Sequence, residues 1–336
     1  MKAYRLFNWK KPARLVDVPL PEPEAGEVRL KVAGNGICQS DLHIMHEWEA
    51  SPSHLHIELP MTLGHEVGGW VDKPGQGVSG FEQGQPCIVT TAGCGHCYYC
   101  ARGWNNYCLH KGKQVGMGMD GGLAEYVIAP VVAIVPLSSL DPTEAAPLTD
   151  AGLSSYHAVK RVKSLLNGGS TVAVIGVGGL GHMAIQALKA ITPAHIIAFD
   201  LNDNALQLAK ELGADEIRKS TMENVEQMSV DAVLDFVGAG ETIAMAARMI
   251  RPVGHIVVVG RGHGMFRFYP QAMPYGATLS TTFGGGKFEL MELIHLAESG
   301  CVKPHITRYS LDDVEMAFDK LSKGEINGRA VIVPEG

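Results

Sequence analysis

Thr171-Val172-Ala173-Val174-Ile175-Gly176-Val177-Gly178-Gly179-Leu180-Gly181-His182-Met183-Ala184-Ile185-Gln186-Ala187-Leu188 is the stretch that decides the fold. It begins as a β-branched, apolar strand and passes through glycines spaced G-x-G-x-x-G. It continues as a helix whose apolar side is Leu180, Met183, Ala184, Ala187 and Leu188. The glycine spacing alone is weak evidence. Between a strand and a helix it marks a loop whose backbone N–H groups can approach a pyrophosphate seated on the positive end of the helix. Gly176, Gly178, Gly179, Leu180 and Gly181 are therefore candidate dinucleotide contacts. Asp200 closes the next strand-like run, His195 to Asp200, where it can accept both ribose hydroxyls of NAD. A carboxylate there repels the 2′-phosphate of NADP, and Leu201-Asn202 offers no arginine to reverse the choice. NAD is the expected cofactor.

Outward from this stretch the same rhythm continues. From about Leu148, strand-like and helical runs alternate: Thr171 to Ile175 then Leu180 to Ala190, and His195 to Asp200 then Asn204 to Leu212. Ala232 to Phe236, Glu241 to Ile250 and His255 to Gly260 follow. That alternation predicts a doubly wound parallel sheet. Upstream, roughly the first 140 residues read as short strands broken by Gly and Pro, with Val28, Leu30 and Val32 alternating with polar neighbours. Val67 to Asp72, Cys87 to Thr91 and Ala124 to Ala129 are further strand candidates, so a mostly antiparallel β domain is expected. The tail adds helices near Lys287 to Ser299 and Leu311 to Leu321 and a strand at Ala330 to Val333, whose place the pattern leaves open.

Composition is that of a two-domain globular enzyme: 336 residues, 46% hydrophobic and 19% charged. A net charge of −7 argues against nucleic acid or anionic lipid as partner. Met1 to Val18 holds no apolar signal-like run, and Tyr126 to Leu137 is too short and Pro-interrupted to span a bilayer. A cytoplasmic protein with no membrane partner is expected.

Four of the seven cysteines, Cys94, Cys97, Cys100 and Cys108, crowd one loop. That spacing can wrap four sulfurs around one tetrahedral ion, closing it to water and substrate, so a structural zinc is expected. Two disulfides are the alternative, disfavoured in a reducing compartment. His96 is surplus to a complete cysteine set. Cys38, His65, Glu66 and Asp150 are scattered, and spacing alone does not join them.

The Cys38-Gln39-Ser40-Asp41-Leu42-His43 segment, Gly64-His65-Glu66, the four-cysteine loop, Asp150-Ala151-Gly152 and the glycine turn at Gly176 occur in this order along essentially the whole chain. In this the sequence resembles the zinc-containing medium-chain alcohol dehydrogenases, with its nearest likeness to bacterial NAD-dependent secondary-alcohol dehydrogenases. The resemblance implies an α/β architecture: a GroES-like, mostly antiparallel β catalytic domain over residues 1–149, completed by 286–336, and a Rossmann domain with a doubly wound parallel sheet over 150–285. It implies two zinc ions per chain. Cys38, His65 and Asp150 would hold the catalytic ion and leave a fourth position open. One thiolate and one carboxylate balance Zn²⁺ as two thiolates would, with a harder oxygen donor.

The implied activity is reversible hydride transfer between a primary or secondary, fairly apolar alcohol and NAD, giving an aldehyde or ketone. Ser40 and His43 would relay the proton, an exposed helix histidine being the bland reading of His43. Asp41 would orient His65, and Glu66 would stand behind the metal or ligate it occasionally. Ser154, Val259 and Arg329 would add cofactor contacts, Arg329 to the pyrophosphate. Gln39 stands where some relatives carry a basic residue, which would weaken cofactor binding. Trp48, Met117 and Phe283, with Met119, are candidate pocket walls. His46, His54 and His56 read as a solvated loop rather than a third metal site, and His157 as core. A homodimer or homotetramer is the family expectation. A polyol or amino-alcohol dehydrogenase is the runner-up, and a non-catalytic NAD- or zinc-binding protein would require a missing ligand.

Overall fold

The computed structural model describes residues 1–53 and 55–334; His54 of the histidine-rich stretch lies outside the described residues. The chain forms two compact units. The first comprises Met1–Asp150, Gly286–Ile294 and Ile306 onward; the second comprises Ala151–Gly285 and His295–His305.

Among the described residues the first unit is built on a seven-stranded, largely antiparallel sheet. Its centre is the long strand Glu27–Gly36, which pairs antiparallel with Glu66–Pro74 on one side and Arg329–Val333 on the other. The tail strand thus belongs to this sheet, its Val331 opposite Gly36, and it pairs in parallel with Ile306–Ser310. Alternation explains the pairing: Val28, Leu30 and Val32 are buried in one apolar cluster with Val67, Val71 and Val127. A second cluster collects Leu6, Ile37, Ile44, Leu123, Phe318 and Ile332 from the N-terminal strand, a short helix and the tail.

The second unit is a six-stranded, all-parallel sheet. In chain order its strands are Thr171–Ile175, His195–Asp200, Glu216–Lys219, Val230–Asp235, Ile250–Val258 and Thr278–Thr281. Numbered that way, their spatial order is 3-2-1-4-5-6, the doubly wound arrangement. Val172 to Ile175 are all buried, as expected for a central strand covered on both faces. Asn202 caps the helix Asp203–Glu211, its side chain accepting the Asn204 N–H at 2.8 Å.

Several expected boundaries move. The fifth strand starts at Ile250, not His255, because Gly254 lets Ile250 and the Asp231 main chain approach closely. The helix expected from Leu311 opens with a 3₁₀ turn, Leu311–Asp313, and becomes α-helical only at Val314–Ser322. Short strands such as Glu216–Lys219 and Ile306–Ser310 carry too few apolar residues to announce themselves. No helix of the described residues is long and apolar enough to cross a membrane.

Candidate metal centres and dinucleotide loop

The loop after the strand Pro86–Val89 folds through two 3₁₀ turns, Cys100–Arg102 and Asn105–Tyr107, which bring Cys94, Cys97, Cys100 and Cys108 together with their sulfurs within 4.8 Å of one another. Cys97 Sγ and Cys108 Sγ lie 3.7 Å apart. Zn–S bonds of about 2.3 Å in tetrahedral geometry demand sulfur–sulfur edges of about 3.8 Å, so the spacing fits zinc. All seven cysteines are free thiols, which removes the disulfide alternative. Backbone N–H groups of Cys97 and His110 point at the sulfurs of Cys94 and Cys108, each at 3.3 Å. The Cys100 N–H in turn holds the Cys97 thiol down to about 6, favouring thiolate. Lys111 stands against this negative cluster; burial pulls its ammonium down while Cys108 and Cys100 oppose that. His96 is turned to the Cys94 carbonyl at 2.9 Å, and Lys287 N–H donates to Asn105 Oδ1 at 2.8 Å, fastening the loop to the returning segment.

The second cluster assembles from the ends of three elements. Cys38 precedes the helix Gln39–His46, His65 precedes the strand Glu66–Pro74 that Glu66 opens, and Asp150 follows the turn Ala146–Thr149. Ligand atoms of Cys38, His65, Glu66 and Asp150 lie within 4.8 Å of one another. Cys38 Sγ is 3.3 Å and His65 Nε2 is 3.6 Å from Asp150 Oδ2. Tetrahedral zinc with S, N and O donors predicts edges of about 3.4–3.6 Å, so these three atoms also fit the ion. On its other side His65 Nδ1 faces Asp41 Oδ1 at 3.3 Å, while Asp41 Oδ2 accepts the Cys38 N–H at 2.9 Å. One fully buried carboxylate therefore orients two of the donors.

Glu66 is fully buried and bound to Arg329, whose Nε donates to its Oε2 at 3.1 Å. Gly36 makes room for it: a Cβ at Gly36 would sit 2.0 Å from Glu66 Oε2. Arg329, a candidate pyrophosphate contact, is buried here among acids, with its Nη2 also 3.4 Å from Asp150 Oδ2. A desolvated guanidinium needs compensating carboxylates, and Glu66 supplies one.

Ser40 Oγ lies 3.6 Å from Cys38 Sγ, beside the donor set. His43 follows one turn later, with Nδ1 2.7 Å from Glu47 Oε1, a partner the sequence did not single out although i and i+4 spacing signals it. Gln39 is exposed and its Nε2 reaches the Leu321 carbonyl at 3.4 Å. Trp48 and Met117 pack against the cluster that holds Ile44 and Leu123. Met119 packs against the other cluster, with Val67 and Val115, so the structure separates it from them. Phe283 belongs to the second unit, 43% exposed, with the Arg261 guanidinium 5.3 Å from its ring centre.

In the second unit Gly176 has φ +86°, which a side chain disfavours, and a Cβ at Gly181 would strike the Gly176 carbonyl oxygen at 1.9 Å. A Cβ at Gly178 would meet nothing within 4 Å. Internal packing thus requires the first and last glycines but sets no such limit at Gly178. Ser155 Oγ donates to the Leu180 carbonyl at 2.7 Å and fastens the loop; Ser154 is buried in the helix Ala151–Val162 with His157. Asp200 Oδ2 accepts the Val177 N–H at 2.7 Å and Oδ1 the Asn202 N–H at 2.8 Å, so its carboxylate is held at the end of its strand. Lys219 donates to the Leu201 carbonyl at 2.8 Å and pairs with Asp203 at 2.7 Å. Val259, next to the fifth strand, donates its N–H to the Asp235 carbonyl at 2.8 Å.

Residues 24–139 match the alcohol dehydrogenase GroES-like domain and residues 179–299 the zinc-binding dehydrogenase domain. An NAD-dependent alcohol dehydrogenase of Sulfurisphaera tokodaii is 34% identical over 99% of this chain and 100% of its own length. The chain belongs to the zinc-containing medium-chain alcohol dehydrogenases. Within this alcohol dehydrogenase family, the crystal structure of the Aeropyrum pernix alcohol dehydrogenase superposes with a TM-score of 0.91 at 34% identity, covering 99% of this chain and 100% of that one. Acetophenone reductase from Geotrichum candidum, solved in complex with NAD, gives 0.89 at 31% identity over 99% of this chain and 96% of its own.

Proposed function

We propose that this protein is a zinc-dependent, NAD-linked dehydrogenase acting on primary or secondary alcohols of apolar character and, in reverse, on the matching aldehydes or ketones. The observation that carries the reading is the convergence of Cys38, His65 and Asp150 at zinc-like spacings in a chain that also bears the Gly176–Gly181 loop and Asp200. When bound, zinc supplies a Lewis acid that favours alkoxide over alcohol and polarises a carbonyl, and NAD supplies the hydride acceptor.

The rest is done by the chain's own side chains. Asp41 keeps the His65 Nε2 lone pair directed at the donor set. Arg329 holds the Glu66 carboxylate, which leaves Cys38, His65 and Asp150 as the working donors. Ser40, beside Cys38, receives the substrate's proton, and His43, three residues on along the same helix, carries it onward with Glu47 holding its Nδ1. The loop glycines seat the pyrophosphate, Asp200 takes the adenosine ribose, and Ser154 and Val259 serve the nicotinamide half. Trp48 and Met117 supply an apolar wall, which supports an apolar substrate. A homodimer or homotetramer in the cytoplasm is the working state we propose, to be checked by light scattering and cell fractionation.

The test is NADH formation from NAD with a primary aliphatic, a secondary aliphatic, an aromatic and a polyol substrate, with and without a strong chelator. Chelator-sensitive turnover of an apolar alcohol is expected. Turnover of the polyol alone would refute the apolar assignment, and absence of turnover in protein carrying both zincs would refute the reading.

A further inference from the structure

His182 is fully buried at the second position of the helix that follows the glycine loop. Its Nδ1 lies 3.0 Å from the Gly178 carbonyl oxygen, and its Nε2 accepts the His305 N–H at 3.2 Å. Burial pushes its pKa down to about 4, so near neutrality one ring nitrogen carries a proton and the other does not. The two partners settle which: Nδ1 faces an acceptor and must donate, while Nε2 faces a donor and must accept. One turn on, Gln186 works in the same sense, its Oε1 accepting the Lys303 N–H at 2.8 Å and its Nε2 donating to the Lys303 carbonyl at 3.0 Å. The segment Lys303–His305 is thereby strapped to this helix just before the chain enters the strand Ile306–Ser310.

The C=O and N–H of a trans peptide point in opposite directions. A Gly178 carbonyl drawn inward to His182 therefore turns the Gly179 N–H outward, and Gly178 itself is exposed. Glycine on both sides of that peptide gives it little resistance to flipping; the His182 main-chain N–H also reaches the Gly178 oxygen, at a longer 3.3 Å, and the ring adds the shorter contact to the same atom.

We propose that His182 is a positioning residue for the dinucleotide: it fixes the Gly178–Gly179 peptide so that the Gly179 N–H faces a pyrophosphate, and the main chain at His305 holds its ring in place. The inference rests on the cofactor reading of the loop and adds to it a residue outside the glycine fingerprint.

The test is binding of ADP-ribose and of adenosine to the purified holoenzyme, by competition against NADH fluorescence. His182→Asn keeps a donor near the Nδ1 position, His182→Gln keeps an acceptor near the Nε2 position, and His182→Leu keeps neither. ADP-ribose affinity is expected to stay within about threefold of wild type in His182→Asn and to fall roughly tenfold or more in His182→Gln and His182→Leu. Adenosine, which lacks the pyrophosphate, should bind all four proteins alike, and kcat at saturating NAD should change less than about twofold. Equal losses for adenosine and ADP-ribose would mean a merely structural role and overturn the proposal, as would a Gln variant that binds ADP-ribose like wild type while Asn does not. If wild-type enzyme binds neither NADH nor ADP-ribose, the cofactor reading fails, and this proposal with it. Failure confined to the variants' ranking leaves the cofactor reading standing.

Discussion

Asp41 shows how much one buried carboxylate can organise. It accepts the Cys38 N–H with one oxygen and faces His65 Nδ1 with the other, so it sets the position of two donors without being one itself. Asp41→Asn keeps the size and one acceptor but loses the charge that favours the donor state of Nδ1. A 10- to 100-fold loss of zinc affinity or activity is expected, read by zinc titration against a competing chelator. His182 carries a prediction of another kind. Its folded pKa near 4 is below the ordinary 6.5, so the unfolded chain binds the extra proton first as pH falls. The stability tied to the neutral ring is complete above about pH 6.5 and is lost progressively towards pH 4. By pH 5 the loss should reach about 2 kcal/mol, so the stability gap between wild type and His182→Asn should narrow between pH 7 and pH 5 in urea melts. A pH-independent gap would contradict the assignment.

At the scale of elements, the turn from the strand Thr171–Ile175 into the helix Gly181–Ile191 holds glycines of two kinds. Gly181 has no room for a methyl group because the Gly176 carbonyl lies against it, whereas Gly178 has space. Gly181→Ala should therefore lower Tm and abolish NADH binding together. Gly178→Ala should leave Tm within about 2 °C and still weaken NADH binding at least tenfold, since its constraint comes from the ligand's approach. Melting curves and NADH fluorescence on the same two proteins decide this. The glycine loop was legible in sequence because strand, turn and helix are contiguous there. The straps from His182 and Gln186 to Lys303 and His305 were not, because their partners are main-chain atoms more than a hundred residues away.

The whole molecule carries two donor sets, to which the proposed function gives different tasks. The four-cysteine loop has little apolar core of its own and would take its shape from a bound ion, whereas Cys38, His65 and Asp150 sit on elements already held by buried sheet and helix contacts. Purified protein should hold about two zinc ions per chain by elemental analysis. Cys97→Ser should lower Tm and remove one ion while leaving residual turnover, and Cys38→Ser should remove turnover by at least about 100-fold with Tm nearly unchanged. The reverse pattern would mean that the two roles have been exchanged.

Whatever depends on neighbours along the chain was readable in one dimension: the parallel sheet, the glycine loop with Asp200, the four-cysteine loop, and, through family likeness, the identity of the fold. Periodicity, turn chemistry and ligand spacing all act over a few residues, so they survive in one dimension. The folded chain was needed to show the tail strand Arg329–Val333 lying against Gly36 and so delivering Arg329 to Glu66, a pairing across 263 positions. It alone showed Met119 in a different apolar cluster from Met117. The Arg329–Glu66 pairing follows from desolvation: a buried charge takes the counter-charge that the fold brings to it, and no local pattern records which one that will be.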